Sequence, residues 1–439
     1  MTSIQKKRHQ GVHELDESFD LPDGWQIRSL GSLLVEINRR DAGQGLEVLS
    51  CSKVHGIIRQ AEKFKHRVAS KDTANYKVVR PGEFVYDPML LWDGSIGRNN
   101  YDFAGVVSPA YTVFKIADDV DGEFLEALLR QRNMTPKYVA ISEGTNIRRR
   151  KAKFKDFSTI EIPLPPLSEQ RTIAIALQAV KAAKDATVNA LERTQELKKS
   201  LVRHLFTYGP VRISETQKVS LKETDYGFSP ANWPIKKCED LTVQISVGIV
   251  VKPAQYYVGQ GIPALRSLNI KRNKISDDKM VYISKEDNDS KLKKSKLKTG
   301  DIAVIRTGNA GIASIIPEKY NNCNCIDILF MRPTGELDNL LMCEFINSPF
   351  GSTHADTEKT GMAQQHYNVG SVKKMPMPVP SQGEQDEMLT LIADTQVKID
   401  YLEKRIQLME LFSNSLLHNV MTGQIGASPT PLHHEKVNQ

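Results

Sequence analysis

Long apolar runs are missing from this 439-residue chain. None approaches the ~18 residues that a membrane-spanning helix needs. The opening stretch, MTSIQKKRHQGVHELDESFD, is polar and lacks the apolar centre of a secretory signal, so a cytoplasmic location is expected. Cysteine is scarce as well. Cys51, Cys238, Cys323, Cys325 and Cys343 are odd in number and scattered, which suits a reducing compartment and excludes a disulfide framework. Cys323-x-Cys325 has no second pair and no histidine beside it, so buried, inert thiols are expected there and a zinc site is not.

The usual marks of chemistry are absent too. There is no G-x-x-x-x-G-K-[ST] phosphate cradle, no G-x-G-x-x-G after a strand, no G-x-S-x-G elbow and no H-E-x-x-H pair. Asp87-Pro88 runs into Met89-Leu90, without the Pro-Pro-aromatic continuation of an amino-methyltransferase loop. His354 and His366 flank a loop with no convincing partners for a metal or a nucleophile. Gly94-Ser95-Ile96-Gly97 and Gly308-Asn309-Ala310-Gly311 are better read as turns than as phosphate loops. No catalytic residue, metal site or cofactor is expected in this chain.

What is present is a duplication. PLPPLSEQRTIAIAL (163–177) returns as PVPSQGEQDEMLTLI (378–392), with Pro163, Pro165, Glu169 and Gln170 matched by Pro378, Pro380, Glu384 and Gln385 in one register. A search for internal repeats comes first because a missed repeat mis-assigns the fold. Trp25 in LPDGWQIRSLGSLL matches Trp233 in FSPANWPIKKCEDL. Gly82-Glu83 matches Gly300-Asp301, and VSPAYTVFK (107–115) matches CIDILFMRP (325–333). EFLEALLRQR (123–132) and NLLMCEFINS (339–348) read as short helices in matching places. Apolar runs such as EFVYDPMLLW and DIAVIR, bounded by Gly, Asn and Pro, read as strands. The fold class expected is α+β: two tandem mixed α/β globules, each followed by a long helix.

The helices carry a heptad seam. Met388, Ile392, Ile399, Leu402, Ile406, Met409 and Leu416 recur in steps of three and four, interleaved with Thr395, Ser413 and Val420. The matching first seam is Ile173, Leu177, Leu191, Leu201 and Leu205, with Lys184, Thr187, Thr194 and Lys198 among its positions. Ser381-x-x-Glu384 has the capping-box pattern, and Gly209 and Gly423 suit helix stops. Neither helix can bury its stripe alone. Packing as an antiparallel coiled coil would give the molecule pseudo-two-fold symmetry, which suits a two-part DNA target. The boundaries expected are a tail at 1–20, a globule at 21–166, a helix at 167–209, a linker at 210–228, a second globule at 229–380, a second helix at 381–425 and a disordered tail at 426–439.

The charge balance is mildly basic, +7 from 59 Lys and Arg against 52 Asp and Glu. That permits a nucleic-acid partner without requiring one. Basic residues crowd 148–155 in the first half and 291–298 in the second. Cations at that density neutralise phosphates, and arginine also reads guanine edges. The residues expected at DNA are Arg98, Arg148, Arg149, Arg150, Lys151, Lys153, Arg266, Arg272, Lys293 and Lys294.

The twofold repeat, the paired IPLPPLSEQRTIAIAL and MPVPSQGEQDEMLTLI junctions, and the helices ending LFTYG and VMTGQ resemble the specificity (S) subunits of type I restriction–modification systems. The second junction departs from the first, with Ser381-Gln382 in place of Pro166-Leu167. The resemblance implies that each globule is a target recognition domain reading one half of a bipartite, asymmetric double-stranded DNA site. It implies that the two helices act as a ruler and dock two methyltransferase (modification) subunits, joined by two restriction/motor subunits. S-adenosylmethionine, ATP and Mg would then sit on those partners. The competing reading is a two-headed coiled-coil interaction protein with no DNA role.

Overall fold

The computed structural model describes residues 21–63, 70, 72–142, 151–358 and 366–421. Contacts divide the chain into two units, Met1–Thr187 with Arg405–Gln439, and Val188–Lys404. Each unit therefore holds one mixed α/β globule, part of the first long helix and part of the second.

In the first unit one sheet runs in the order Leu34–Ile37, Thr112–Ile116, Phe84–Tyr86, Ile96–Arg98. A second runs Gly56–Arg59, Glu47–Ser52, Gly105–Val107, Lys77–Val79, with one parallel pairing, Glu47–Ser52 beside Gly105–Val107. The second unit repeats the first order with Thr242–Val247, Ile328–Pro333, Ile302–Ile305 and Ala313–Ile315. Its other four-stranded sheet likewise contains one parallel pair, Ile262–Leu265 beside Asn324–Cys325. The run EFVYDPMLLW is shorter as a strand than its composition suggests. Pairing stops at Tyr86, and the chain turns through Pro88 into a 3-10 turn at Leu91–Asp93. Proline has no N–H to offer a ladder, and Gly94 in the left-handed region (φ 89°) closes the turn.

The first long helix spans Leu167–Tyr208 and the second Gln382–Met421. Gly209 (φ 80°) ends the first, its N–H donating to the Leu205 carbonyl at 2.9 Å. At the start of the second, Glu384 reaches back to accept from both the Ser381 N–H (2.9 Å) and the Ser381 hydroxyl (2.7 Å). That satisfies one of the orphan donors of a helix start. Gly423 and the tails 1–20 and 426–439 lie outside the described residues.

Helix pairing is antiparallel inside each unit. In the first, Leu416 and Leu417 join the core of Ile173, Ala174 and Leu177, and Lys184 meets Glu410 at 2.6 Å. In the second, Val202, Leu205 and Phe206 share a core with Met388 and Ile392, and Lys198 donates to Gln396 at 2.8 Å. Of the seam positions, Ile173, Leu177, Leu205, Met388, Ile392, Ile399 and Leu402 are buried. Leu191, Leu201, Ile406, Met409 and Leu416 are half-buried.

The segment 210–228, expected as a linker, is structured. It forms a 3-10 stretch, Ile213–Lys218, then enters a hairpin of Leu221–Thr224 with Gly227–Pro230. The hairpin is held because Tyr226 lies edge-on to Phe345 and Phe350, with centroids 5.3 and 5.6 Å away.

Candidate nucleic-acid interface

The repeated Glu-Gln pair closes each globule onto its helix. Trp25 donates its indole N–H to Glu169 at 3.0 Å, and Trp233 donates to Glu384 at 3.0 Å. The glutamines do more. Gln170 is buried; its amide donates to the carbonyls of Pro165 (2.8 Å) and Asp119 (3.2 Å), and its oxygen accepts from the Asp121 N–H (2.8 Å). Gln385 makes the same three bonds, to Pro380 (3.1 Å), Glu336 (3.0 Å) and the Asp338 N–H (2.8 Å). Asp121 and Asp338 in turn cap the short helices Gly122–Leu129 and Asn339–Asn347 through their carboxylates. A buried amide needs all its partners, which explains why Gln rather than an isosteric Glu or Leu stands at both sites.

The Gly-acid pair recurs in the same way. Gly82 and Gly300 both have left-handed φ. Glu83 accepts from the Arg80 N–H (2.7 Å) and pairs with Arg39 (2.9 Å). Asp301 accepts from the Lys298 N–H (2.8 Å) and binds Arg332 through both oxygens, each at 2.8 Å.

A family profile described as "Type I restriction modification DNA specificity domain" matches residues 70–199. The specificity subunit of the type I restriction enzyme MjaVIII from Methanocaldococcus jannaschii is 24% identical over 424 residues, 92% of this chain and 94% of that protein. The EcoKI specificity subunit from Escherichia coli is 24% identical over 331 residues, 73% of this chain and 66% of that one. The chain is thus similar, over most of its length, to specificity subunits of type I restriction–modification systems. The fold agrees. A chain from a structure of type I R-M assembly and conformational transition superposes with a TM-score of 0.56 at 16% identity, over 93% of this chain and all of that one. The S subunit from M. genitalium gives 0.51 at 11% identity, over 93% and 98%.

The expected cations are placed unevenly. Lys293 and Lys294 are exposed on a 3-10 turn and form no ion pair among the described residues. Their neighbours Lys291 and Lys296 are held by Asp287 (2.9 Å) and Asp289 (2.5 Å). Lys151 and Lys153 are exposed beside the segment Phe154–Phe157. Arg148, Arg149 and Arg150 lie outside the described residues. Arg272 is exposed, with its guanidinium donating to the Asn347 carbonyl.

Two expected contacts are drawn inward instead. Arg98 meets Glu123 (3.2 Å) and Glu126 (3.9 Å) and donates to Asn100 (2.7 Å), so its charge is neutralised as a brace between strand and helix. Arg266 is half-buried and donates to the Lys279 carbonyl, pinning a loop. Sequence could not show this, because the bracing partners of Arg98 stand 25 and 28 residues away.

None of the five cysteines is in a disulfide and all are buried; burial pushes the Cys238 and Cys323 thiols up to about 12. No group of residues with metal-ligand chemistry occurs among the described residues. His354 accepts or donates to the Tyr367 hydroxyl at 3.0 Å, and His366 does so with Thr307 at 2.7 Å. Among the described residues no helix is long and apolar enough to cross a membrane.

Proposed function

We propose that this chain is the DNA-recognition subunit of a type I restriction–modification complex, with each globule reading one half of a split, asymmetric site. One observation carries this reading: two globules of the same sheet order, closed by the same Trp–Glu–Gln junction, in a chain matching a specificity subunit over 92% of its length. The long helices then set the spacing between half-sites. They also carry the surface for protein partners. On the second helix Val397, Tyr401, Leu408, Leu411 and Phe412 are each more than half exposed, on the side away from the seam by helical periodicity. Apolar groups left in water at that density mark an interaction face.

The chain contributes recognition, and the chemistry belongs to its partners. Two modification subunits would carry S-adenosylmethionine and methylate adenine at N6; two motor subunits would carry ATP and magnesium. The target adenine must leave the duplex stack to reach a methyltransferase pocket, so it flips into the partner. Exposed Lys293, Lys294, Lys151 and Lys153 supply salt-sensitive attraction to phosphates.

The deciding experiment compares N6-methyladenine across the source genome with and without this gene. Loss of a single motif, two short specific blocks around unspecified bases, is the expected result. An unchanged methylome, in a cell where a methyltransferase subunit co-purifies with the chain, refutes the reading. DNA affinity indifferent to salt would favour the two-headed interaction protein instead.

A further inference from the structure

We propose that Arg59 is a base-reading residue of the first globule, presenting its guanidinium edge to a guanine in the half-site which that globule recognises; this rests on the DNA-recognition reading above. Arg59 ends the strand Gly56–Arg59 and is exposed. Its guanidinium carbon lies 5.5 Å from the Tyr101 ring centroid and 5.3 Å from that of Phe103. The two rings stack on each other at 4.9 Å and 27°. Tyr101 also accepts the Arg59 backbone N–H through its hydroxyl at 3.3 Å.

The platform is built rather than incidental. Asn99, buried at 1% exposure, holds the turn that carries both rings. Its amide donates to the carbonyls of Val79 (3.2 Å) and Phe103 (3.1 Å), and its oxygen accepts from the Tyr101 N–H (3.1 Å). Among the described residues the Arg59 guanidinium is in no ion pair. Arg39, Arg98, Arg306 and Arg332 all meet carboxylates. The corresponding turn of the second unit differs again: Lys319 lies over Tyr320 at 5.2 Å, but Asp277 neutralises it at 2.6 Å.

A guanidinium held over two ring faces by cation–π attraction, with no carboxylate paired to it among the described residues, is confined in position and keeps N–H donors for a ligand. Paired N–H donors of a guanidinium match guanine O6 and N7 bidentately. A phosphate contact needs only the charge, which lysine would supply.

The test uses the full-length chain, with any methyltransferase subunit that co-purifies, selecting from duplexes of randomised sequence. Wild type is compared with Arg59→Ala and Arg59→Lys. Both variants should lose the guanine preference at one position of one half-site by roughly 10- to 100-fold, with all other positions unchanged. The lysine variant keeps the charge, so a folding defect in the alanine variant leaves the question answerable. Uniform weakening across sequences, with a salt slope shallower by about one, would make Arg59 a phosphate contact and overturn the proposal. An unchanged selection overturns it as well. A wild-type chain that enriches no sequence and ignores salt instead refutes DNA recognition itself.

Discussion

In the first unit the short helix Gly122–Leu129 buries only apolar side chains, Phe124, Leu125, Leu128 and Leu129. Its counterpart in the second unit, Asn339–Asn347, buries Glu344 among Leu341, Met342, Cys343, Phe345 and Ile346. Glu344 pairs with Lys198 of the first long helix at 2.5 Å and accepts from Asn273 at 2.9 Å. Both side chains are nearly enclosed, Lys198 at 10% and Glu344 at 5% exposure. Yet the two units close onto their helices by the same bonds. The junction is repeated because backbone groups there must find partners in any copy of the fold. The interior is free to diverge, because apolar and polar fillings can both pack. A buried ion pair adds little net stability, but losing one partner is costly because the other charge stays enclosed.

The largest effect that would sharpen this contrast comes from Glu344→Ala. It leaves the Lys198 ammonium enclosed without its counterion, at a cost of about 3–5 kcal/mol to the second unit. Urea melts followed through the fluorine resonance of 5-fluorotryptophan at Trp233 should show the loss. The double variant Lys198→Met, Glu344→Leu should return close to wild type. A double variant as unstable as the single one would mean that packing, and not charge burial, is at stake.

The junctions should respond alike. Gln170→Leu and Gln385→Leu each strand two carbonyls and one N–H, for about 2 kcal/mol apiece in their own units. Fluorine NMR of 5-fluorotryptophan-labelled protein separates the units, since Trp25 and Trp92 lie in the first and Trp233 in the second. Effects differing severalfold would break the equivalence of the two closures.

The smallest effect is a titration. Burial alone would raise the Glu384 carboxyl, but hydrogen bonds from Ser381, Trp233 and Asn232 outweigh it and hold the group below its ordinary range. A depressed carboxylate contributes stability above its unfolded value, about 4.3, and that contribution is lost as pH falls through the folded value. Carbon-detected NMR should show Glu384 titrating low and moving upward in Trp233→Phe. No movement would remove the indole from the account of this junction.

The legibility of the chain follows the range of its interactions. Trp25, Trp233, Glu169 and Glu384 could be matched by eye, yet nothing in their spacing showed that each indole donates to its glutamate across 144 or 151 residues. The glutamines were visible as a pattern and invisible as three-bond hubs. Lys198 was the clearest missed signal. A lysine at a seam position asks for a buried partner, but Glu344 lies in a different element. Tyr226 gave the segment 210–228 its order through contacts with aromatics more than a hundred residues on. Arg59 and Tyr101 stand 42 residues apart and share no motif.

Two things were determined by sequence alone: the duplication, and the long helices with their seams. Both are written in local chemistry that repeats along the chain, so no fold is needed to read them. Tertiary structure decided which polar and charged groups face inward, which cations are neutralised by carboxylates and which stay exposed. Those outcomes depend on partners brought together from distant positions, and a charge is structural or functional according to what lies within a few ångströms of it.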